Sequence, residues 1–263
     1  MLFLLRVVLR ALLIAIFNLR DATKGKKLTK ESPLPARPAP DHLNIEVTNL
    51  CNANCTFCGY QYQERPISFL PFDLFAKAVT DYAKMGGGPL GLTPVVGDSL
   101  IDKDLVKKIA VARSIPEISD IRVTTNGILL TKKLFNKMVE NGLTHLCISM
   151  SGFNRNEYKR VYRNDSYQKL TNNLEQIALS DSFAKCTIDI AVRTDRLFPW
   201  MRKDYWRFRR MGYSISSTTF FDNWSGRIHD KDLSGAMFIW EDFAAPRSWL
   251  LRKRHRRIGF TRS

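Results

Sequence analysis

From residue 43 onward the sequence alternates between short runs rich in β-branched and aromatic residues and longer runs of helical period. The strand-like runs cover 43–48, 90–96, 121–125, 144–150, 187–193 and 213–220. Between them lie helical stretches at 71–85, 103–114 and 131–141, a long one reaching about 181, and 200–211. Proline opens the first of these helices and glycines follow it, while Gly142 ends the third. Six strand–helix alternations with short connections specify a parallel sheet with helices packed outside it. Six units fall short of the eight that close a barrel. The expected class is therefore α/β, a partial (β/α)6 TIM-like barrel over residues 41–226.

The flanks have a different character. Residues 1–20, MLFLLRVVLRALLIAIFNLR, hold an uninterrupted apolar run only over 11–17, well below the roughly 20 residues of a spanning helix. At about 100° per residue, Arg6, Arg10 and Arg20 share one face and the rest of the circumference is apolar. This predicts an amphipathic helix lying in a membrane interface, with a tilted anchor or a buried terminal helix as the alternatives. No small-residue cleavage site follows it, as a secretory signal would require. Residues 21–40 read as a proline-rich, basic linker. Residues 227–263 form a basic tail, expected to be poorly ordered; from residue 246 it has seven Lys or Arg and no acid.

The net charge of +16 favours anionic partners: a nucleic acid, a lipid surface or an acidic protein. No nucleic-acid motif or interleaved aromatic pattern supports the first. Five cysteines, three of them crowded into residues 51–58, do not make a disulfide scaffold. The chain reads as cytoplasmic, peripheral on the inner face of a membrane if the first helix docks there.

In barrels of this kind the chemistry sits on loops leaving the C-terminal ends of the strands. Cys51, Cys55 and Cys58 follow the first strand, Gly97-Asp98 the second and Asn126-Gly127 the third. Ser149 and Ser151 end the fourth, Arg193 ends the fifth, and Asn223-Trp224 follow the sixth. These residues are expected on one rim. Clustered thiolates hold iron–sulfur clusters, and three of them on a four-iron cluster leave one iron open. Zinc, with His42 or His145 as fourth ligand, is a rival, although the separations fit no familiar zinc pattern. A dithiol pair of Cys55 and Cys58 is another, but leaves Cys51 idle. Cys147 and Cys186 read as small buried apolar residues.

The spacing Cys51-x-x-x-Cys55-x-x-Cys58, with the aromatic Phe57 before the last cysteine, resembles the radical S-adenosylmethionine (SAM) superfamily. "VTTNG" and "ISMSGF" resemble that family's third- and fourth-strand endings. Gly97-Asp98 stands where the family has Gly-Gly-Glu, and Ser151 stands where it has Asp. "FFDNWSGRI" is similar to the SPASM-type branch, whose auxiliary-cluster cysteines have no counterpart after Cys186.

The resemblance implies a 4Fe-4S cluster on Cys51, Cys55 and Cys58, and reductive cleavage of SAM followed by hydrogen-atom abstraction from a substrate. It implies that the Phe57 backbone meets adenine and that Gly97 and Asp98 meet the SAM amino group. Thr125 and Ser149 would lie at the ribose and Arg193 at the carboxylate. An acidic flavodoxin- or ferredoxin-type protein is the implied electron donor. The substrate is open between a peptide, a glycan and a lipid-linked molecule. Two other functions stand beside this one: an inactive iron–sulfur or zinc-binding remnant serving as a membrane-associated scaffold, and a nucleic-acid-binding or RNA-modifying protein.

Overall fold

The computed structural model describes residues 40–194, 196, 198–229, 232–233 and 237–239. The expected interfacial helix, nearly all of the linker and most of the basic tail lie outside these residues. Six strands form one sheet in chain order: β1 (Leu43–Asn44), β2 (Leu90–Leu92), β3 (Ile121–Thr125), β4 (His145–Met150), β5 (Thr187–Arg193) and β6 (Ser214–Thr218). Every neighbouring pair is parallel. β1 and β6 remain the two edges, so the barrel is open, as six units require. A short parallel pair, β7 (Phe220–Phe221) with β8 (Phe238–Ile239), follows.

The crossovers carry helices α1 (Phe72–Lys84), α2 (Leu105–Arg113), α3 (Lys132–Glu140), α4 (Arg155–Tyr162), α5 (Tyr167–Ala178) and α6 (Lys203–Arg210). Two of them start at side-chain caps, Thr131 accepting from Leu134 N and Asn154 from Asn156 and Glu157 N. The core lies between these helices and one face of the sheet. Ile121 and Val123, Leu146, Ile148 and Met150, and Ile188, Ile190 and Val192 are all buried, at alternate positions along their strands. The residues between them, Arg122 and Thr124, His145, Cys147 and Ser149, Asp189 and Arg193, point to the barrel interior and are only partly covered or exposed. Cys147 was expected to be buried; it lies on this interior side, because the alternation places it with His145 and Ser149.

Several boundaries differ from the sequence expectation, β2 among them, which spans Leu90–Leu92 where 90–96 was expected. β1 stops at Asn44 because Val47 and Asn49 bond instead to the returning segment: Leu70 N donates to Val47 O at 2.9 Å and Asn49 N to Ser68 O at 3.4 Å. The long helical region breaks into α4 and α5 at Arg163, which adopts the left-handed conformation with φ 50°. The last helix starts later, after a separate 3-10 turn at Pro199–Met201. Within the core, Lys108 is buried beside Asp102, its ammonium donating to Asp102 Oδ2 and to Leu70 O, each at 2.7 Å. That bonding offsets the cost of burying the pair. Among the described residues no helix is long and apolar enough to cross a membrane.

Candidate active site

The cysteine loop leaves the C-terminal side of β1 and is fixed from below before it reaches its thiols. Asn49 is buried; its amide donates to Pro66 O and its carbonyl accepts from Ser68 N, both at 2.8 Å. Thr48 Oγ1 donates to Ser68 O at 2.9 Å and accepts from Leu50 N at 3.1 Å. Further along, Asn54 N and Thr56 N donate to the carbonyls of Tyr162 and Val161, at 3.4 and 2.9 Å. Those carbonyls are unpaired by their own helix because α4 ends there, at the left-handed Arg163. Arg163 itself donates to Gln61 Oε1 at 3.0 Å. Cys58 Sγ accepts from Tyr60 N at 3.4 Å and starts the 3-10 turn Gly59–Tyr62.

Gly97 and Asp98 come against this loop from β2. Gly97 has φ +121°, and a Cβ there would lie 2.6 Å from Thr48 O, so only glycine lets the two loops meet. Asp98 N donates to Leu50 O at 2.8 Å. The Asp98 side chain is 1% exposed, and its oxygens accept from Thr125 Oγ1 at 2.8 and 3.0 Å, Asn126 N at 2.6 Å and Leu100 N at 3.0 Å. Asn126, held in this way, donates through Nδ2 to Asn52 Oδ1 at 2.7 Å and reaches Cys51 Sγ at 3.7 Å. A continuous line therefore runs from the Asp98 carboxylate through Asn126 to the first thiol. Burial raises the Asp98 carboxyl above its ordinary value, against the pull of the Asn126, Thr125 and Leu100 hydrogen bonds.

The other expected residues divide into two groups. Thr125 is buried, with its hydroxyl donating to Asp98 and accepting from Gly127 N at 3.0 Å; it belongs to the brace beneath the rim. Ser149 Oγ accepts from Tyr162 OH at 3.0 Å, which leaves its own proton free to donate into the interior. Arg193 ends β5 on the same interior side, near enough to Cys147 and Tyr162 to act on both electrostatically. The Phe57 ring stacks on Phe221 at 4.7 Å, and the Phe57 carbonyl accepts from Trp224 Nε1 at 3.0 Å. The indole lies so close to Gly59 that a Cβ there would stand 2.5 Å from its ring atoms.

Sequence reasoning placed Trp224 and Asn126 on the rim but gave neither a role. Their partners lie 167 and 75 residues away, so no local signal reveals them. Ser151, where the family has an acid, is buried with its hydroxyl donating to Tyr158 O at 3.3 Å. It secures α4.

The thiols sit in surroundings that oppose their ionisation. Burial pushes Cys51 up to about 11, with Asp98 and Cys58 pushing further against hydrogen bonds from the Ala53 backbone and Asn126. Burial raises Cys55 well above its ordinary value, with Cys58 and Cys51 adding to it. Burial also raises Cys58, against the hydrogen bond from Tyr60. Three thiolates here need positive charge among them, which a metal centre supplies. Among the described residues no three Cys, His, Asp or Glu side chains converge on a single ion. A four-iron cluster takes each thiolate at a different iron, so the ligands surround it instead of meeting at a point. The zinc alternative loses its fourth ligand, because His42 precedes β1 and His145 begins β4, both at the strand ends opposite the cysteine loop. The donor set fits an iron–sulfur cluster.

Fold and site together define an open parallel α/β barrel with a three-thiol loop on its C-terminal rim. A family model described as the radical SAM superfamily matches residues 45–190, and the chain belongs to that superfamily. Membership implies SAM and a 4Fe-4S cluster as cofactors. The chain is 32% identical over 177 residues to a GTP 3',8-cyclase of Stenotrophomonas maltophilia, which covers 64% of this chain and 52% of that protein. A GTP 3',8-cyclase of Lactiplantibacillus plantarum is 28% identical over 163 residues, covering 58% and 46%. The chain thus spans about half the length of these relatives. Among solved structures, Streptococcus suis SuiB bound to the precursor peptide SuiA superposes with a TM-score of 0.60 at 12% identity, covering 84% of this chain and 47% of that one. The structure of anSMEcpe with bound AdoMet gives 0.53 at 16% identity, covering 67% and 50%. At these identities the structural likeness concerns the fold.

Proposed function

We propose that the chain is a radical SAM enzyme. The observation that carries this reading is the brace from Asp98 through Asn126 to Cys51, which fixes one thiol of a three-thiol loop from the neighbouring strands. Cys51, Cys55 and Cys58 hold the cluster. When bound there, the cluster would supply one-electron reduction of SAM, the chemistry that permits hydrogen-atom abstraction from a substrate.

The chain's own residues bind and orient. The Phe57 carbonyl, which accepts from Trp224, keeps a second lone pair for the adenine amino group. Ser149 donates to a ribose oxygen, and Arg193 pairs with the SAM carboxylate. Gly97 presents backbone to the amino end of SAM. Asp98 and Thr125 serve by position: they have no free face toward the interior and instead hold the loops that do. The interior side of the sheet, with Thr124, Cys147, Ser149 and Asp189, receives a polar substrate. An acidic flavodoxin- or ferredoxin-type donor suits the charge of +16.

Anaerobic reconstitution with iron and sulfide tests the reading. About four irons per chain are expected, with SAM perturbing the electron paramagnetic resonance spectrum of the reduced protein and 5'-deoxyadenosine released under reduction. Cys51→Ala, Cys55→Ala and Cys58→Ala each abolish iron uptake, while Cys186→Ala does not. Stoichiometric zinc with no iron uptake overturns the proposal. Iron uptake with a spectrum unmoved by SAM moves the assignment to the inactive remnant.

A further inference from the structure

The loop after β5 presents an apolar surface of an unusual kind. Phe198, Trp200, Met201 and Trp206 are 53%, 47%, 76% and 50% exposed, and they are sequence neighbours on one protrusion. Exposed apolar groups this large and this contiguous mark an interaction surface. They are also held rigidly. Trp206 Nε1 donates to Trp200 O at 2.8 Å, and the Phe198 and Trp200 rings meet edge to face at 5.1 Å. Trp206 packs on Tyr205 at 5.2 Å, and Tyr205 in turn on the buried Phe153 at 5.4 Å. At its base the loop is tied by Arg196 and Arg202, both paired with the buried Glu157. The aromatics are therefore mounted outward on a fixed support, with no collapse onto the core.

Around them cations are in excess, although Arg196 and Arg202 are paired with Glu157 and Arg207 with Glu175 and Asp204. Residues 196–213 contain six Lys or Arg and a single acid, Asp204. On α6, Lys203, Trp206 and Arg210 fall at i, i+3 and i+7 and so share one face; Lys203, Arg209 and Arg210 are exposed. We infer that this protrusion, independently of residues 1–20, is a docking surface for an anionic lipid bilayer. Trp and Phe side chains take the interfacial layer, Met201 reaches toward the acyl boundary, and the Lys and Arg shell meets the headgroups. Charge decides against a second copy as occupant. Packed face to face, it would set Lys203, Arg209 and Arg210 against their own images. The loop leaves the C-terminal end of β5, the rim that carries the cysteine loop, so docking turns that rim toward the bilayer.

The experiment uses the full chain and sedimentation with vesicles of phosphatidylcholine, with and without phosphatidylglycerol. Phe198→Ser/Trp200→Ser/Met201→Ser is expected to lower partitioning by about tenfold on phosphatidylglycerol vesicles. Lys203→Glu/Arg210→Glu should lower it only where phosphatidylglycerol is present and salt is low. Should the triple variant lose its native circular dichroism, Met201→Glu, at the most exposed of the four side chains, gives the same readout without touching the core. Unchanged partitioning of a folded variant, in a parent that also carries Arg6→Glu/Arg10→Glu/Arg20→Glu so that residues 1–20 cannot mask the patch, overturns the inference. So does a dimer of the parent chain in solution that the triple variant abolishes, since a second copy would then cover the patch.

Discussion

The two faces of the sheet carry different kinds of information. The helix-facing side, with Ile121, Val123, Leu146, Ile148, Met150, Ile188, Ile190 and Val192, is apolar and packed up to the rim, where the polar Thr125 ends β3 on the same face. The interior side, one residue out of step, holds Arg122, Thr124, His145, Cys147, Ser149, Asp189 and Arg193. A parallel sheet buried on both faces would show continuous hydrophobic strands. Here the alternation itself shows that the interior was left for polar chemistry. One face specifies the fold; the other can vary with the substrate at small cost in stability.

Adjacent residues of β4 offer the sharpest break of this comparison. Ile148→Ala should cost about 2–5 kcal/mol in urea unfolding, because the side chain is fully buried against α5 and Gly127. Cys147→Ala, one residue away on the interior side, should cost less than about 1 kcal/mol. Equal losses would show that the interior is packed as tightly as the core. The rim lies between these two regimes. Gly59→Ala drives a methyl group into the Trp224 indole and should cost about 1–3 kcal/mol. Combining it with Trp224→Ala should recover at least about 0.5 kcal/mol of non-additivity in a double-mutant cycle; strict additivity would separate the two residues.

The smallest effect belongs to the exposed surface. Arg155 beside Asp165, helped by Lys159, holds that carboxyl down at about 2 instead of 3.8. A depressed carboxyl stabilises the fold above its ordinary range and loses that contribution as pH falls from there through about 2. Asp165→Asn should therefore differ slightly from the parent near neutrality and converge with it in acid, as read by melting temperature against pH. Divergence that grows in acid would reverse the sign of the argument.

The six strands with their five helical crossovers and the three-cysteine loop were legible because both are local: a period within one segment, or a spacing within one loop. The alternation in "HLCISM" also carried the true side of Cys147, since Leu146, Ile148 and Met150 mark the opposite face. Other features had a weaker local sign, such as the turn-forming Asn164-Asp165-Ser166, or none. "VYRNDSY" contains neither Gly nor Pro, yet Arg163 turns left-handed and divides α4 from α5. β1 stops early because Ser68–Leu70 returns to its far side, a pairing across about 20 residues of loop. The position of Asp98 after β2 was legible, but not what holds its side chain. Its real neighbours, Thr125 and Asn126, become visible only when β2 and β3 are side by side.

The early end of α4 at Arg163 also sets a schedule for the growing chain. The three thiols are complete by residue 58, but the carbonyls that seat their loop belong to Val161 and Tyr162, and the indole that closes over it is Trp224. A nascent chain that has emerged only as far as residue 100 already displays three soft ligands with nothing to position them. Scavenging of stray metal or oxidation in that interval competes with correct loading. Iron delivered after release of the whole chain should therefore give a higher yield of correctly loaded protein than iron present throughout translation.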